Sequence, residues 1–355
     1  ESKMGNARNL ADNLPVTGQL SGRNMVQNGA FIVDQRREYA AHTIVAGSNK
    51  FCDRWGFYSD SGATNKYGAT AQVVDDGPSG FEKSFKFTIT SNSGAIPATS
   101  EVIFRHVMEG YQTNRLDFGT ANAKNATLSF WVKSSIAGNY GFTVQYTDSG
   151  GTNLFNLRSY TVNSANTWEY KTITIPKNTA NGIQQKTSGV GFRLNFDLGE
   201  GATYSGSVTG NWQSAYVNGL SGGVKIANTN GATWQLTGVM LEEGDQASPF
   251  EYEDYSRTLS TCQRYFYRWY SSGLSDNLYI STPYASGTPP NTSASVAYTF
   301  PVTMRVNPTM TAISGSAVSN LNRFTSSVHN ATAQHASTSS NAALSLDNWT
   351  ADADF

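Results

Sequence analysis

The chain has 355 residues, a formal net charge of -1, 12% aromatic residues and only 14% charged residues, against a usual charged share of about 25%. Its length allows two or three domains with cores of their own. A near-neutral balance without runs of either sign excludes an electrostatic nucleic-acid binder, which needs clustered Lys and Arg, and no apolar run approaches the roughly 18 residues that carry a helix across a bilayer, so no membrane insertion is expected. Ser, Thr, Asn and the 33 glycines then carry solubility, a profile that suits an all-β extracellular or virion protein.

Residues 1–22, "ESKMGNARNLADNLPVTGQLSG", hold few large apolar side chains and end in turn signals, so they read as an arm or linker. From Arg23 the period is two. Phe85, Phe87 and Ile89 share a face in "FKFTIT", as do Leu128, Phe130 and Val132 in "TLSFWVK", and Phe142, Val144 and Tyr146 in "GFTVQYT". In "GFRLNFDLG", Phe192, Leu194, Phe196 and Leu198 alternate with Arg193, Asn195 and Asp197, which predicts one face toward a core and one toward water. "TWEYKTITIP" and "WQLTGVMLE" complete the set, the second with a β-bulge at Thr237 and Gly238. Turn residues separate these runs as antiparallel hairpins and Greek-key loops require. The expected architecture is all-β: a jelly-roll-like antiparallel sandwich over 23–252, then a short helix, then a smaller C-terminal β domain.

The stretch 253–270 reads as a helix-to-strand joint. Tyr255, Leu259, Cys262 and Phe266 recur at spacings of four, three and four, with Asp254 as N-cap, and "YFYRWY" predicts a strand containing Tyr267 and Trp269. These six residues, Tyr255 to Trp269, are the expected contact between modules or between identical copies, since an apolar stripe of this kind would otherwise be exposed. Residues 271–355 read as a tip domain with strands near "NLYIST", "SVAYTFPVTM" and "PTMTAIS", and the polar run Ser326 to Asn341 as a loop or weak edge.

Chemistry is sparse. His42, His106, His329 and His335 are scattered without metal-ligand spacing, and two cysteines cannot frame a zinc site. Cys52 and Cys262 read as buried free thiols, with a single bridge left open. No catalytic residues and no cofactor are expected; a Ca²⁺ held by loop oxygens near Glu242 is the one metal site left open. Asp75-Asp76, Glu242-Glu243 and the group Glu251, Glu253, Asp254 offer carboxylates, but neighbours on a strand point to opposite faces and do not make the dyad that glycoside hydrolysis needs. Loop aromatics are the candidates for stacking on a sugar ring: Trp212 and Tyr216 in "NWQSAYVNG", with Tyr204, Tyr58, Tyr111 and Tyr284. Trp55 and Trp131 belong to strands and read as core or inter-layer packing.

The ordered series "RNMVQNGAFIVDQR", "DRWGFY", "ATLSFWVKSS", "TWEYKTITIP", "WQLTGVMLEEGDQASPFEYEDYSRTLSTCQRYFYR" and "FPVTMRVNPT" resembles tail-fibre and related appendage proteins of tailed bacteriophages, those with a carbohydrate-binding-module-like sandwich followed by a C-terminal tip domain. The resemblance covers roughly residues 20–310, and Leu-Glu…Pro-Phe-Glu…Cys-Gln-Arg-Tyr is its most specific part. It implies a non-enzymatic virion protein on a tail fibre or capsid surface, a homotrimer, joined to other virion proteins through its N-terminal arm and attached to a host surface glycan. A structural capsid fibre or decoration protein and a tailspike-type polysaccharide depolymerase are the alternatives. The arm here is short and carries no collagen-like or coiled-coil shaft, which departs from the commonest pattern.

Overall fold

The computed structural model describes residues 21–270, 278–282, 292–312, 323–337, 342–346 and 348–355. The chain divides into two compact units, Glu1–Glu253 and Asp254–Phe355. Residues 1–20 of the expected arm lie outside the described residues.

The first unit is a two-layer antiparallel sandwich. One sheet has the order β1 (His42–Thr43), β4 (Tyr67–Val74), β5 (Ser84–Asn92), β14 (Thr233–Glu243), β7 (Ala126–Ser134), β10 (Glu169–Ile175). The other runs β2 (Gly47–Lys50), β3 (Trp55–Ser59), β6 (Val102–Glu109), β11 (Val190–Asp197), β8 (Gly138–Thr147), β9 (Asn153–Val162). The alternation that predicts the strands also fills the space between the layers: Phe85, Phe87, Leu128, Phe130, Phe142, Phe192, Leu194 and Phe196 are all fully buried in one core. At its centre the rings of Phe85 and Phe104 stack across the layers with centroids 4.0 Å apart, and Trp55 stacks on Phe104 at 5.1 Å. Cys52 is buried in this core, and both cysteines are free thiols.

The bulge expected at Thr237 and Gly238 is present, as a register shift between Thr237 and Met240 against β7. Gly238 takes a φ of +60°, and a Cβ there would meet the Phe81 ring at 2.6 Å, so glycine alone fits both the turn and the contact. Strand β5 leaves β14 after Leu236. The chain from Asn24 to Gly29 takes up the vacated side: Met25 N donates to Leu241 O at 2.8 Å, Val239 N donates to Gly29 O at 3.0 Å, and Asn24 Oδ1 accepts from Leu241 N at 3.1 Å. Glu251 holds the start of this segment through the amides of Gly22 and Asn24.

The outer face of the second sheet corrects one expectation. Asn195 and Asp197, read as water-facing, are fully buried, because the crossover from β11 to β14 folds back over them. Two short strands in it, β12 (Ser205–Gly206) and β13 (Gly219–Leu220), pair in parallel. Asn195 Nδ2 donates to Asn218 Oδ1 at 3.0 Å; Asp197 accepts from the amides of Glu200 at 2.9 Å and Leu220 at 3.0 Å and pairs with Lys225. Phe155, Leu157 and Val217 form a small apolar cluster under this cover. The crossover also passes round β9, where Phe155 and Gln213 exchange both backbone hydrogen bonds, at 2.8 and 3.0 Å. Trp131 corrects a second expectation. It faces outward from β7, half-buried beside Tyr170, because its neighbours Phe130 and Val132 take the core positions.

The second unit opens with the helix Tyr255–Gln263, capped by Asp254, whose side chain accepts from Ser256 N at 2.8 Å. Its buried residues are Thr258 and Cys262; Tyr255 is exposed, Leu259 is half-buried, and Phe266 already belongs to the strand β15 (Phe266–Tyr270). The expected four-residue stripe is therefore shorter than the spacing suggests, since the chain turns at Arg264 before a third helical turn can form. Three small antiparallel sheets follow: β15 with β22 (Asn348–Asp352) and β18 (Thr309–Ala312); β16 (Leu278–Thr282) with β21 (Ala342–Leu346); and β17 (Thr292–Thr299) with β20 (Asn330–Ser337) and β19 (Arg323–Ser326). Tyr267, Trp269, Tyr298, Phe300 and Trp349 pack ring against ring inside this unit. Strand β20, within the run read as a loop or weak edge, is the central strand of its sheet. Main-chain pairing on both sides, with β17 and β19, holds it without requiring apolar side chains.

Candidate functional site

Three of the tyrosines singled out from the sequence come together. Tyr58, Tyr204 and Tyr216, with Glu101 and Arg105, line an open cavity of about 400 Å³ on the outer face of the second sheet. Tyr58 is on strand β3 and not in a loop: Trp55 and Phe57 face the core, so the period of two turns Tyr58 outward. Arg105 is outward on β6 by the same rule, between Phe104 and His106, and its guanidinium lies 5.2 Å from the Tyr58 ring centroid. Tyr204 and Tyr216 come from the crossover and meet edge to face, 5.2 Å between centroids. Phe155 backs Tyr216 at 5.1 Å.

A chain of hydrogen bonds fixes the rings. Asn195 donates to Asn218, and Asn218 Nδ2 donates to the Tyr216 hydroxyl at 2.7 Å. That hydroxyl in turn donates to Glu101 Oε1. The loop before β6 is tied to the start of the crossover through Gly201 N to Ser100 O at 2.8 Å and Thr203 N to Ala98 O at 2.9 Å. Asp60 accepts from the amides of Ala63 and Glu101. The pocket wall is thus built from strands and braced loops, which is the arrangement that holds a binding geometry.

Burial governs the charges. Glu200 is 2% exposed, and among the described residues neither oxygen of its carboxyl has a hydrogen-bond partner. Desolvation, reinforced by Asp197 and Glu101, pushes it well above the usual carboxylate range. Glu101 is raised too, by burial, although the Tyr216 hydroxyl opposes this. Burial, helped by Glu101, raises the Tyr216 phenol, which therefore stays a donor. Arg193 on β11 is lowered to about 10, by burial and then by Arg105.

The other candidates fall elsewhere. Trp212 is half-buried against the main core, edge-on to Phe118 at 5.4 Å and Tyr146 at 5.1 Å, and its indole donates to Pro176 O at 2.8 Å; it closes the side of the sandwich and does not reach the tyrosine cavity. The Gly/Ser-rich setting that sets it apart in sequence conceals this wrapping. Tyr111 is exposed away from the cavity lining, and Tyr284 lies outside the described residues. The sequence carboxylates have other work: Asp75 pairs with Lys83, Asp76 with Lys133 and Glu243 with Lys124, and Glu251 and Asp254 bind backbone amides. Glu242 accepts from Ser248 N and Oγ, and among the described residues no three acidic, His or Cys side chains converge as metal ligands.

Sequence reasoning missed Glu101, Arg105, Arg193 and Glu200. The signal available was an Arg at an outward position in each of two apolar strands, "EVIFRHVME" and "GFRLNF"; what it lacked was the pairing of β6 with β11, which sets Asn195 opposite Arg105 and Arg193 one diagonal step away.

No family model and no curated protein matches the chain. Among solved structures, the enzymatically active domain of bacteriophage CBA120 tailspike protein 4 is similar over 62% of this chain at 11% identity, with a TM-score of 0.33; the matched part is 21% of that chain. The family 11 carbohydrate-binding module of Clostridium thermocellum cellulase Lic26A-Cel5E is similar over 57% of this chain and 99% of its own, at 14% identity and a TM-score of 0.30. For a sugar-binding protein described as putative from Bacteroides thetaiotaomicron the figures are 62%, 99%, 12% and 0.33. Likeness at this level carries no functional weight, and function is read from the site.

Proposed function

We propose that the sandwich is a non-enzymatic glycan-binding module of a virion appendage, and that the tyrosine cavity is its sugar contact. The observation that carries this reading is the convergence of Tyr58, Tyr204 and Tyr216 with Glu101 and Arg105 around one open cavity. Flat aromatic faces pack on the C–H faces of a pyranose, and a braced carboxylate and a guanidinium accept from and donate to its hydroxyls. The phage assignment is supported by the ordered motifs, above all the run from Leu241 to Tyr265. An open site binds weakly on its own; a trimer displaying three copies gains strength by avidity, of the order of 10² to 10⁴.

Glycan-array binding of the intact chain tests the reading. Tyr58→Ala and Tyr204→Ala are each expected to weaken binding about tenfold or more, with unfolding midpoints near that of the parent. Parent-like binding by both variants, or no binding by the parent, overturns it.

A second reading, polysaccharide cleavage, is favoured by one observation: Glu200 is a buried carboxyl with a raised pKa beside Glu101, the kind of environment that keeps a general acid protonated. It requires release of reducing ends from host polysaccharide and loss of that release in Glu200→Gln.

A further inference from the structure

We infer that the tyrosine cavity selects an acidic sugar, a glycan unit whose oxyanion is met by Arg105 at the cavity wall, with Arg193 as the neighbouring positive charge on the same face. The inference rests on the glycan-binding reading above and specifies its ligand class. Both arginines are outward on adjacent antiparallel strands: Asn195 stands opposite Arg105 in the β6/β11 register, and Arg193 is the diagonal neighbour on the same face. Arg105 lines the cavity, whereas Arg193 is not among its lining residues and acts from beside Arg105.

Among the described residues neither guanidinium has an ion-pair partner or a hydrogen-bond acceptor, and Arg105 Nε is buried without one. Nearby acids do not take that role. Glu101 is engaged by the Tyr216 hydroxyl, Asp60 by two backbone amides, and Asp197 by Lys225 and two amides. Glu200 is buried and unpaired. The two half-buried guanidiniums are an unfavourable pair in the free protein: burial and then Arg105 lower Arg193, and burial lowers Arg105, with Tyr216, Glu101 and Glu200 opposing it. An entering oxyanion relieves it, because a carboxylate or phosphate accepts bidentate bonds that a neutral hydroxyl cannot match. Arg105 packs over the Tyr58 ring, and both line the cavity. The rings of Tyr204 and Tyr216 then hold the body of the sugar, and the charged substituent points to β6 and β11.

The test is a binding titration of the intact chain with four probes: an oligogalacturonate, its methyl ester, a neutral β-glucan oligosaccharide and a phosphodiester-linked glycan. The expected result is binding to the oligogalacturonate or the phosphodiester glycan, at least about tenfold tighter than to the ester or the β-glucan, and weakening as salt rises. The two charged arms separate a carboxylate from a phosphate source. Arg105→Gln should erase the preference and Arg193→Gln should reduce it at least about threefold, so the second variant stands in should Arg105→Gln melt early. Neutral probes that bind as tightly as acidic ones, still through Tyr58 and Tyr204, overturn the acidic-sugar inference and leave the glycan site standing. Failure of every probe to bind overturns both.

Discussion

Glu200 shows at the scale of one residue how burial becomes a pH response. Its carboxyl is raised in the fold, so the folded state favours the protonated form. The stability this lends is complete below the unfolded value of about 4.3 and is lost as pH rises through the folded one, at up to about 1.4 kcal/mol per pH unit. Glu200→Gln is therefore expected to match the parent near pH 4 and to exceed it in stability at pH 8 in urea unfolding. An equal gap at both pH values would show that Glu200 titrates normally. Asp53, fully buried and raised to about 7 by desolvation, acts in the same direction between about pH 4 and 7, so the parent curve should fall across that window. The tyrosines of the site were legible as aromatics unclaimed by any core pattern. Glu200 was not, because nothing local in "DLGEGATY" distinguishes a solvated turn acid from one roofed by a distant segment.

At the scale of elements, period-two patterning carried most of the sandwich: Phe85, Phe87 and Ile89 read directly as an inward face because Lys86 and Thr88 between them are polar, and Leu128, Phe130 and Val132 kept that period even though Trp131 between them is aromatic. It failed for the outward face of β11, since Asn195 and Asp197 look the same whether water or the crossover lies above them. It also could not show that Asn24–Gly29 would complete β14 beyond its bulge, a pairing between Met25 and Leu241, which lie 216 positions apart in sequence. That docking has a sharp steric test. A Cβ on Gly29 would lie 2.1 Å from Val239 O, so Gly29→Ala must displace the segment from the bulge. A loss of about 2 kcal/mol or more in chemical denaturation is expected, together with faster amide exchange at Met25 and Val239. An unchanged midpoint would mean that this segment adds nothing to the sandwich.

For the whole molecule, the proposed assembly is a trimer whose copies meet through the helix Tyr255–Gln263. Cys262 and Thr258 are already buried in the single chain, and Phe266 and Tyr267 likewise. Of the helix residues with a large apolar side chain, Tyr255, 52% exposed, and the half-buried Leu259 have surface left to share with another copy, and on β15 the half-buried Trp269 does too. Leu259→Asp is thus the decisive substitution, whereas Phe266→Asp would damage the unit itself. Light scattering of the intact chain should change from three times 38.4 kDa to one, with little change in the melting of the sandwich; a trimer that persists would place the contact elsewhere.

The bridge that Gln213 makes with Phe155 has a consequence at high local concentration. By occupying the outer hydrogen-bonding groups of Phe155 on β9, it blunts the long rim where a second sandwich could otherwise add strand to strand. Copies held at high concentration thereby find one residue of this ten-residue border already paired, which works against sheet-to-sheet accretion. The excursion that carries Trp212 thus doubles as a guard against aggregation.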